Sequence, residues 1–260
     1  MDIENYGLKI GSGETLYGRP PWYLTDADSL VAYYEAETES VARLLPPELE
    51  PASDPVRCFA WYVEYGESSL GGGYREVLMY VGVRFEGAEY MYAPLVYVDT
   101  DSPMAMGREV WGIPKKIADF QVQMQGSGGA AMTMSRPRLR PLITMTFVPE
   151  APCSPDDVPA AERISFRGIP GHSGSPDMSV SEFLRLENEI SFRTISDGRP
   201  DAWSGQCEVS MLATSSTDPL HLLAPKRMLA GFRLKYDVTL LGAKLLKTVQ
   251  HSDVDSAVRS

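Results

Sequence analysis

Along most of the chain apolar and polar residues alternate in short runs, and the period is that of strands. Val56 to Tyr65 alternates and is rich in aromatic residues, as a half-buried strand should be. Tyr74 to Phe85 and Glu89 to Val98 read as an antiparallel pair across the turn Glu86-Gly87-Ala88. Ser29 to Tyr34, Ile117 to Met124, Ala131 to Ser135, Leu142 to Val148, Arg163 to Arg167, Cys207 to Leu212 and Met228 to Leu241 give further strands. Glycine and proline cut the chain between them. Gly71-Gly72-Gly73, Pro149 to Asp157 and Gly168 to Asp177 are loops, Gln125 to Gly129 is a hairpin turn, and Leu220 to Pro225 a short turn. Thr38 to Leu45 reads as a short helix, capped by Thr38 and stopped by Pro46-Pro47. Glu182 to Arg193 fits a strand or a helix equally well.

Residues 1–24 follow neither period and read as an irregular arm, whose Tyr17, Trp22 and Tyr23 suit packing against the core or a neighbouring subunit. Residues 250–260 read as a polar, frayed tail, which leaves 25–249 as one domain. Many short strands, few helices, no β-α-β alternation and no repeat predict a single, mainly β domain, mostly antiparallel and of closed or double-layered form. A hydrophobic content of 43% and a charged content of 23% suit a globular chain of 260 residues. The net charge of -11 comes with no basic stripe, which argues against a nucleic-acid partner. No apolar run is long enough to span a bilayer, and Met1-Asp2-Ile3-Glu4-Asn5 lacks the apolar core of a signal peptide, so neither a membrane partner nor export is expected and the location predicted is cytoplasmic. Cys58, Cys153 and Cys207 are odd in number, far apart and without C-x-x-C spacing, so neither a disulfide framework nor a metal site is expected.

The candidate chemistry lies in Gly107-Arg108-Glu109-Val110-Trp111-Gly112-Ile113-Pro114-Lys115-Lys116, which holds the only lysines between Lys9 and Lys226. They follow a rigid Gly-Ile-Pro and stand between two apolar strand candidates. On residues alone, Pro-Lys-Lys fits a solvated turn with two surface charges. That is the commoner case; the rarer one is a lysine held in an apolar site, which responds by losing its proton more readily and becomes a nucleophile. Making half or more of an ordinary lysine reactive near neutral pH needs a shift of about three pKa units, or roughly 4 kcal/mol. Successive side chains of an extended segment point to opposite faces, so Lys116 leaves whatever pocket Lys115 enters. Gly171-His172-Ser173-Gly174 resembles a nucleophile elbow only loosely, with neither a clean strand before it nor a helix after it.

Gly-Arg-Glu-x-x-x-x-Pro-Lys-Lys resembles the active-site signature of the acetoacetate decarboxylase family. The likeness continues in order through Leu44 to Glu50, Tyr74-Arg75-Glu76, Asp201 to Gly205 and Ala213 to Leu220. The resemblance implies a β-barrel or cone with peripheral helices, assembled as a homo-oligomer. It implies Lys115 as a Schiff-base nucleophile and Glu76 as the catalytic carboxylate, with no cofactor; that lysine chemistry is the family's own and is borrowed with the resemblance. Arg108 and Glu109 would brace the lysine segment or form an internal ion pair, and Lys116 and Trp111 would support the site.

The sequence departs from the family in two places. The decarboxylases carry an arginine, shortly before the first strand, that meets the catalytic glutamate, whereas Thr25-Asp26-Ala27-Asp28 has no basic residue. Some aldolase-dehydratase relatives carry a polar residue four positions before the lysine, where Trp111 stands here. Three readings follow. The first is decarboxylation of a β-keto acid, bulkier than acetoacetate if Met104, Met106 and Trp111 line the pocket. The second is a pyruvate-dependent aldolase-dehydratase using the same lysine, and the third a non-catalytic protein that binds a small hydrophobic ligand.

Overall fold

The computed structural model describes residues 15–125, 128–172 and 178–249. Its strands are β1 (Trp22–Ala36), β2 (Glu50–Pro51), β3 (Val56–Ser68), β4 (Tyr74–Phe85), β5 (Ala88–Val98), β6 (Lys115–Ile117), β7 (Asp119–Met124), β8 (Ala130–Ser135), β9 (Pro141–Pro152), β10 (Arg163–Pro170), β11 (Met178–Phe192), β12 (Ala202–Met211) and β13 (Pro225–Thr248). Two helices, α1 (Thr38–Ala42) and α2 (Asp101–Glu109), lie among them. The strands run β1-β3-β4-β5-β10-β11-β13, and β13 pairs back onto β1, closing a ring. The fold is therefore the closed, mainly β barrel that the sequence predicts.

β13 closes the ring because it is long enough to serve three neighbours. One edge pairs with β1 over most of its length. The other is shared between β12, opposite Gly231 to Leu234, and β11, opposite Tyr236 to Thr248. From β12 the sheet continues through β9, β8 and β7, which fold over the outside of the barrel. β5 is covered on both faces, which explains the unbroken burial of its second half.

Alternate residues of the same strands supply two cores. On β4, Tyr74, Leu78 and Tyr80 face the interior of the ring, while Val77, Met79 and Val81 face the outer layer with Met132, Met134 and Phe147. β5 slips by one residue between the pairs Met79–Leu95 and Val81–Tyr92. Pro94, which has no N–H to give to a ladder, stands at this bulge. Through the slip Met91, Ala93, Val96 and Val98 all join the inner core.

Several expectations need correction. β5 runs parallel to both β6 and β10, so the mostly antiparallel sheet has two parallel contacts, both on one edge of β5. α1 ends at Ala42, its cap position is Glu37 without a side-chain cap bond, and Thr38 Oγ1 donates instead to Asp54 Oδ1 at 2.7 Å. β1 begins at Trp22, inside the stretch expected to be irregular, because it pairs with both β13 and β3. Tyr17 and Trp22 are buried against the inner core, while Tyr23 is exposed. Glu182 to Arg193, open between helix and strand, lies almost wholly in β11 because it pairs with both β10 and β13. α2 was not foreseen. The 250–260 tail and part of the His172-Ser173 loop lie outside the described residues. The three cysteines are free, and burial pushes the thiols of Cys58 and Cys207 up to about 12. Among the described residues no helix is long and apolar enough to cross a membrane.

Candidate active site

The interior of the ring is not filled. A cavity of ≈ 740 Å³ opens there, walled mainly by apolar and aromatic side chains, and Lys115 and Glu76 both line it. They are 4% and 3% exposed, the only lysine and one of the few carboxylates buried among the described residues. Lys115 Nζ lies 2.9 Å from Glu76 Oε1. The contact has the length of an ion pair but not the alignment of a hydrogen bond, so Glu76 Oε1 is a buried acceptor with no hydrogen-bond partner. Burying such a pair is expensive unless its remaining polar atoms are met. A bound polar ligand is one way to meet them.

Both residues arrive by strand geometry. Glu76 belongs to the inward series Tyr74, Glu76, Leu78 and Tyr80 of β4, all lining the cavity. Lys115 begins β6, opposite Val96 of β5. Around Glu76 the Tyr74 hydroxyl is pushed well above its ordinary pKa, first by burial and then by the glutamate charge, so it stays protonated as a donor. The Lys115 ammonium lies 5.8 Å from the Tyr74 ring centroid.

The segment before the lysine holds it by a set of close contacts. A Cβ on Gly107 would come 2.6 Å from Lys115 Cδ, so only glycine lets α2 lie against the lysine stem. Arg108 Nη1 donates to the Lys115 carbonyl at 3.2 Å. The Glu109 carboxylate accepts from the Tyr17 hydroxyl, and its carbonyl from Arg167 Nε at 2.8 Å. Arg108 and Glu109 form no ion pair with each other among the described residues. Gly112 turns the chain at φ +69°, and a Cβ there would overlap Arg167 Cα at 2.2 Å. Trp111 packs edge-on to Trp22, lines the cavity, and leaves its buried indole N–H without a partner.

Lys116 points the other way. Its ammonium is 3.1 Å from Asp218 Oδ1 and also donates to the Thr217 carbonyl. Asp218 further accepts from Tyr97 at 3.2 Å and pairs with Arg136 at 3.4 Å. Burial pushes the Asp218 carboxyl up, but hydrogen bonds and charge from Lys116, with Thr217 and Tyr97, outweigh it and hold the group below its ordinary value. The Ala213 to Leu220 stretch therefore serves the lysine segment from outside the barrel.

The structure also brings in residues that the sequence reading missed. Tyr65, Tyr80, Tyr236, Asn188 and Arg163 line the cavity, and Arg163 is contributed by the first position of β10. A period-two reading from Glu76 would have found Tyr74 and Tyr80; nothing local marks Arg163. Thr25 to Asp28 bring no cation to Glu76, whose only ion-pair partner among the described residues is Lys115.

A closed barrel with a buried lysine and carboxylate inside defines a class of lysine-centred pocket proteins. Within that class, the chain belongs to the acetoacetate decarboxylase family, whose model, described as "Acetoacetate decarboxylase (ADC)", matches residues 12–249. Among curated relatives, acetoacetate decarboxylase 1 of Bradyrhizobium diazoefficiens is 31% identical over 105 residues, a stretch covering 40% of this chain and only 41% of that protein. The crystal structure of acetoacetate decarboxylase from Legionella pneumophila superposes with a TM-score of 0.81 at 19% identity, covering 94% of each chain. The enduracididine biosynthesis enzyme MppR complexed with pyruvate superposes with a TM-score of 0.78 at 19% identity, covering 94% of this chain and 97% of that one. Likeness at such identities speaks for the fold.

Proposed function

We propose that the protein is a lyase that decarboxylates a β-keto acid through a Schiff base on Lys115, with Glu76 as the proton carrier. The observation that carries this reading is the Lys115–Glu76 contact at 2.9 Å inside a cavity walled mainly by apolar and aromatic side chains. Transfer of one proton across that contact frees the lone pair of Nζ. The amine adds to the ketone carbon, Glu76 passes the proton to the departing hydroxyl, and loss of water leaves an iminium. The bond to the carboxylate then breaks, its electron pair moving into the iminium to give an enamine and carbon dioxide. Glu76, protonated again from solvent, gives a proton to the enamine carbon, and water hydrolyses the new iminium to the product ketone and the Lys115 ammonium.

The surroundings suit that order of events. Leu78, Ile113 and Trp111 near the pair offer the leaving carboxylate no charge, which favours its conversion to neutral carbon dioxide. Tyr74, protonated beside Glu76, is placed to donate to an oxygen of the substrate. The test is trapping: borohydride added with a β-keto acid should fix a mass increase on the peptide carrying Lys115. Labelling that persists in Lys115→Arg would overturn the assignment.

A second reading, a pyruvate-dependent aldolase-dehydratase, is favoured by one similarity: MppR, solved with pyruvate, has the same fold. The same enamine would then form by proton loss and attack an aldehyde. Release of carbon dioxide from a trapped substrate separates the two.

A further inference from the structure

A guanidinium drawn partly out of water is costly unless a charge or a set of hydrogen bonds meets it. Arg163 lines the cavity, yet among the described residues no carboxylate lies within ion-pair distance of it. Its partners are neutral: Nη2 donates to Asn188 Oδ1, and the Tyr80 hydroxyl is a hydrogen-bond neighbour. Burial works against the charge, but the hydroxyls of Tyr80, Tyr65 and Tyr236 outweigh it and hold the group above its ordinary value. A guanidinium carries more N–H donors than these partners use, in a planar fork that matches a carboxylate.

Its position relative to Lys115 is set by β5. Arg163 is registered with Met91 and Lys115 with Val96, on the same edge of that strand. Five residues of strand separate the two levels, or about 16 Å between backbones. The bulge at Pro94 turns both levels inward, so two long basic side chains enter one cavity from points well apart. Tyr80 lies between the two ends, feeling both the Arg163 and the Glu76 charges.

We propose that Arg163, with Tyr80 and Asn188, is the seat for a second carboxylate of the substrate, one that is retained in the product, so that the substrate is an oxo-dicarboxylic acid. This inference rests on the Schiff-base reading only for the identity of the reacting end. A cation against the leaving carboxylate would stabilise the ground state and not the neutral carbon dioxide, and would slow the reaction. A cation at the far end holds the substrate without that penalty and aligns its ketone with Lys115. The cavity is far larger than a four-carbon acid fills, and its volume of ≈ 740 Å³ leaves room for the longer chain.

Two measurements test it, one with chemistry and one without. In turnover, 3-oxoadipate and 3-oxooctanedioate are compared with the monoacids of equal length, 3-oxohexanoate and 3-oxooctanoate. The better diacid should exceed its monoacid in kcat/KM by about a hundredfold, and Arg163→Gln should reduce that preference to within a few-fold. Equal use of diacids and monoacids by the native protein would overturn the seat while leaving the Schiff base standing. In binding, calorimetry compares hexanoate with hexanamide on the native protein. The carboxylate should bind at least about tenfold more tightly, and the difference should vanish in Arg163→Gln. A preference that survives in Arg163→Gln would put the anion elsewhere, at Lys115 for instance, and overturn the proposal. If Arg163→Gln does not fold, Arg163→Lys, which keeps the charge without the fork, should retain only part of the preference; full retention would count against the seat. The binding arm decides the matter even if no oxo acid is turned over, an outcome that would defeat the decarboxylase reading alone.

Discussion

Lys115 and Lys116 are consecutive residues of one short strand, and they belong to two different regions of the molecule. Lys115 enters the cavity inside the ring, where its one charged partner among the described residues is Glu76 and the contact is not aligned as a hydrogen bond. Lys116 enters the layer outside the ring, where Asp218, Thr217 and the Tyr97 ring hold it. The first environment leaves polar atoms unmet and space beside them. The second satisfies its carboxylate several times over. The same side chain is therefore a reagent on one face and a clamp on the other, and the difference lies wholly in what surrounds it. The clamp also serves the reagent, since a strand pinned on its outer face holds its inner side chain in register.

The sharpest way to break the comparison is to exchange the two roles. Lys115→Arg should abolish both borohydride labelling and turnover, a loss of at least about a thousandfold, because a guanidinium cannot condense with a carbonyl at any ordinary pH. Lys116→Arg should still label. Labelling lost in Lys116→Arg and kept in Lys115→Arg would reverse the assignment of the two faces. Next in size is Glu76→Gln, which keeps the shape but removes the proton-transfer capacity, and should lower kcat by roughly a hundredfold or more. Near-normal turnover would reduce Glu76 to a structural counter-ion.

A smaller effect is expected from the wall behind the lysine. Gly107→Ala would set a methyl 2.6 Å from Lys115 Cδ and 2.7 Å from Cε. The lysine stem must then move, and misplacement of a reacting atom by about 1 Å can cost on the order of a hundredfold, so kcat should fall by roughly ten- to a hundredfold with the fold intact. Unchanged kcat would show that the stem is free to adjust.

How much of this was legible in the sequence depends on the range of the contact that fixes each feature. The opposite facing of the two lysines follows from strand alternation alone and could be read directly. So could β4, since Tyr74 to Phe85 pairs with its sequence neighbours and its turn is local. Helix α2 was hidden because Pro103 and Gly107 are poor helix formers. Pro103 is tolerated in the first turn, where its missing N–H has no intrahelical role, and Gly107 is kept by the lysine stem. Arg163 was invisible for a different reason. As the first residue of a short strand it looks like any solvated flank, and only the parallel pairing with β5 and the slip at Pro94 turn it inward. The length of β13 was likewise set by partners as distant as β1.

On the outer face the expected effects concern stability rather than rate. Lys116→Met should retain labelling at Lys115 but remove one partner of a buried carboxylate, a loss of about 1–3 kcal/mol that Arg136 and Tyr97 only partly offset. For a chain of this size that corresponds to a fall in Tm of very roughly 2–12 °C. A variant as stable as the native protein but inactive would place Lys116 in the chemistry after all.

The smallest effect sharpens the same contrast through pH. Burial alone would raise the Asp218 carboxyl, but Lys116 above all, with Thr217 and Tyr97, holds it below its ordinary value of 3.8. A carboxyl whose folded pKa lies below its unfolded one binds fewer protons in the folded state, so stability rises with pH through that interval. The contribution is fully present above the unfolded value, near pH 4, and fades as the pH falls through the lower folded value. Asp218→Asn has no such group to titrate. The native protein should therefore exceed the variant in stability most at neutral pH, and the gap should narrow as chemical denaturation is repeated at successively lower pH below about 4. A gap that stayed constant across that range would mean that Asp218 contributes through packing and neutral hydrogen bonds rather than through its charge, and that the outer lysine is held by something other than the ion pair.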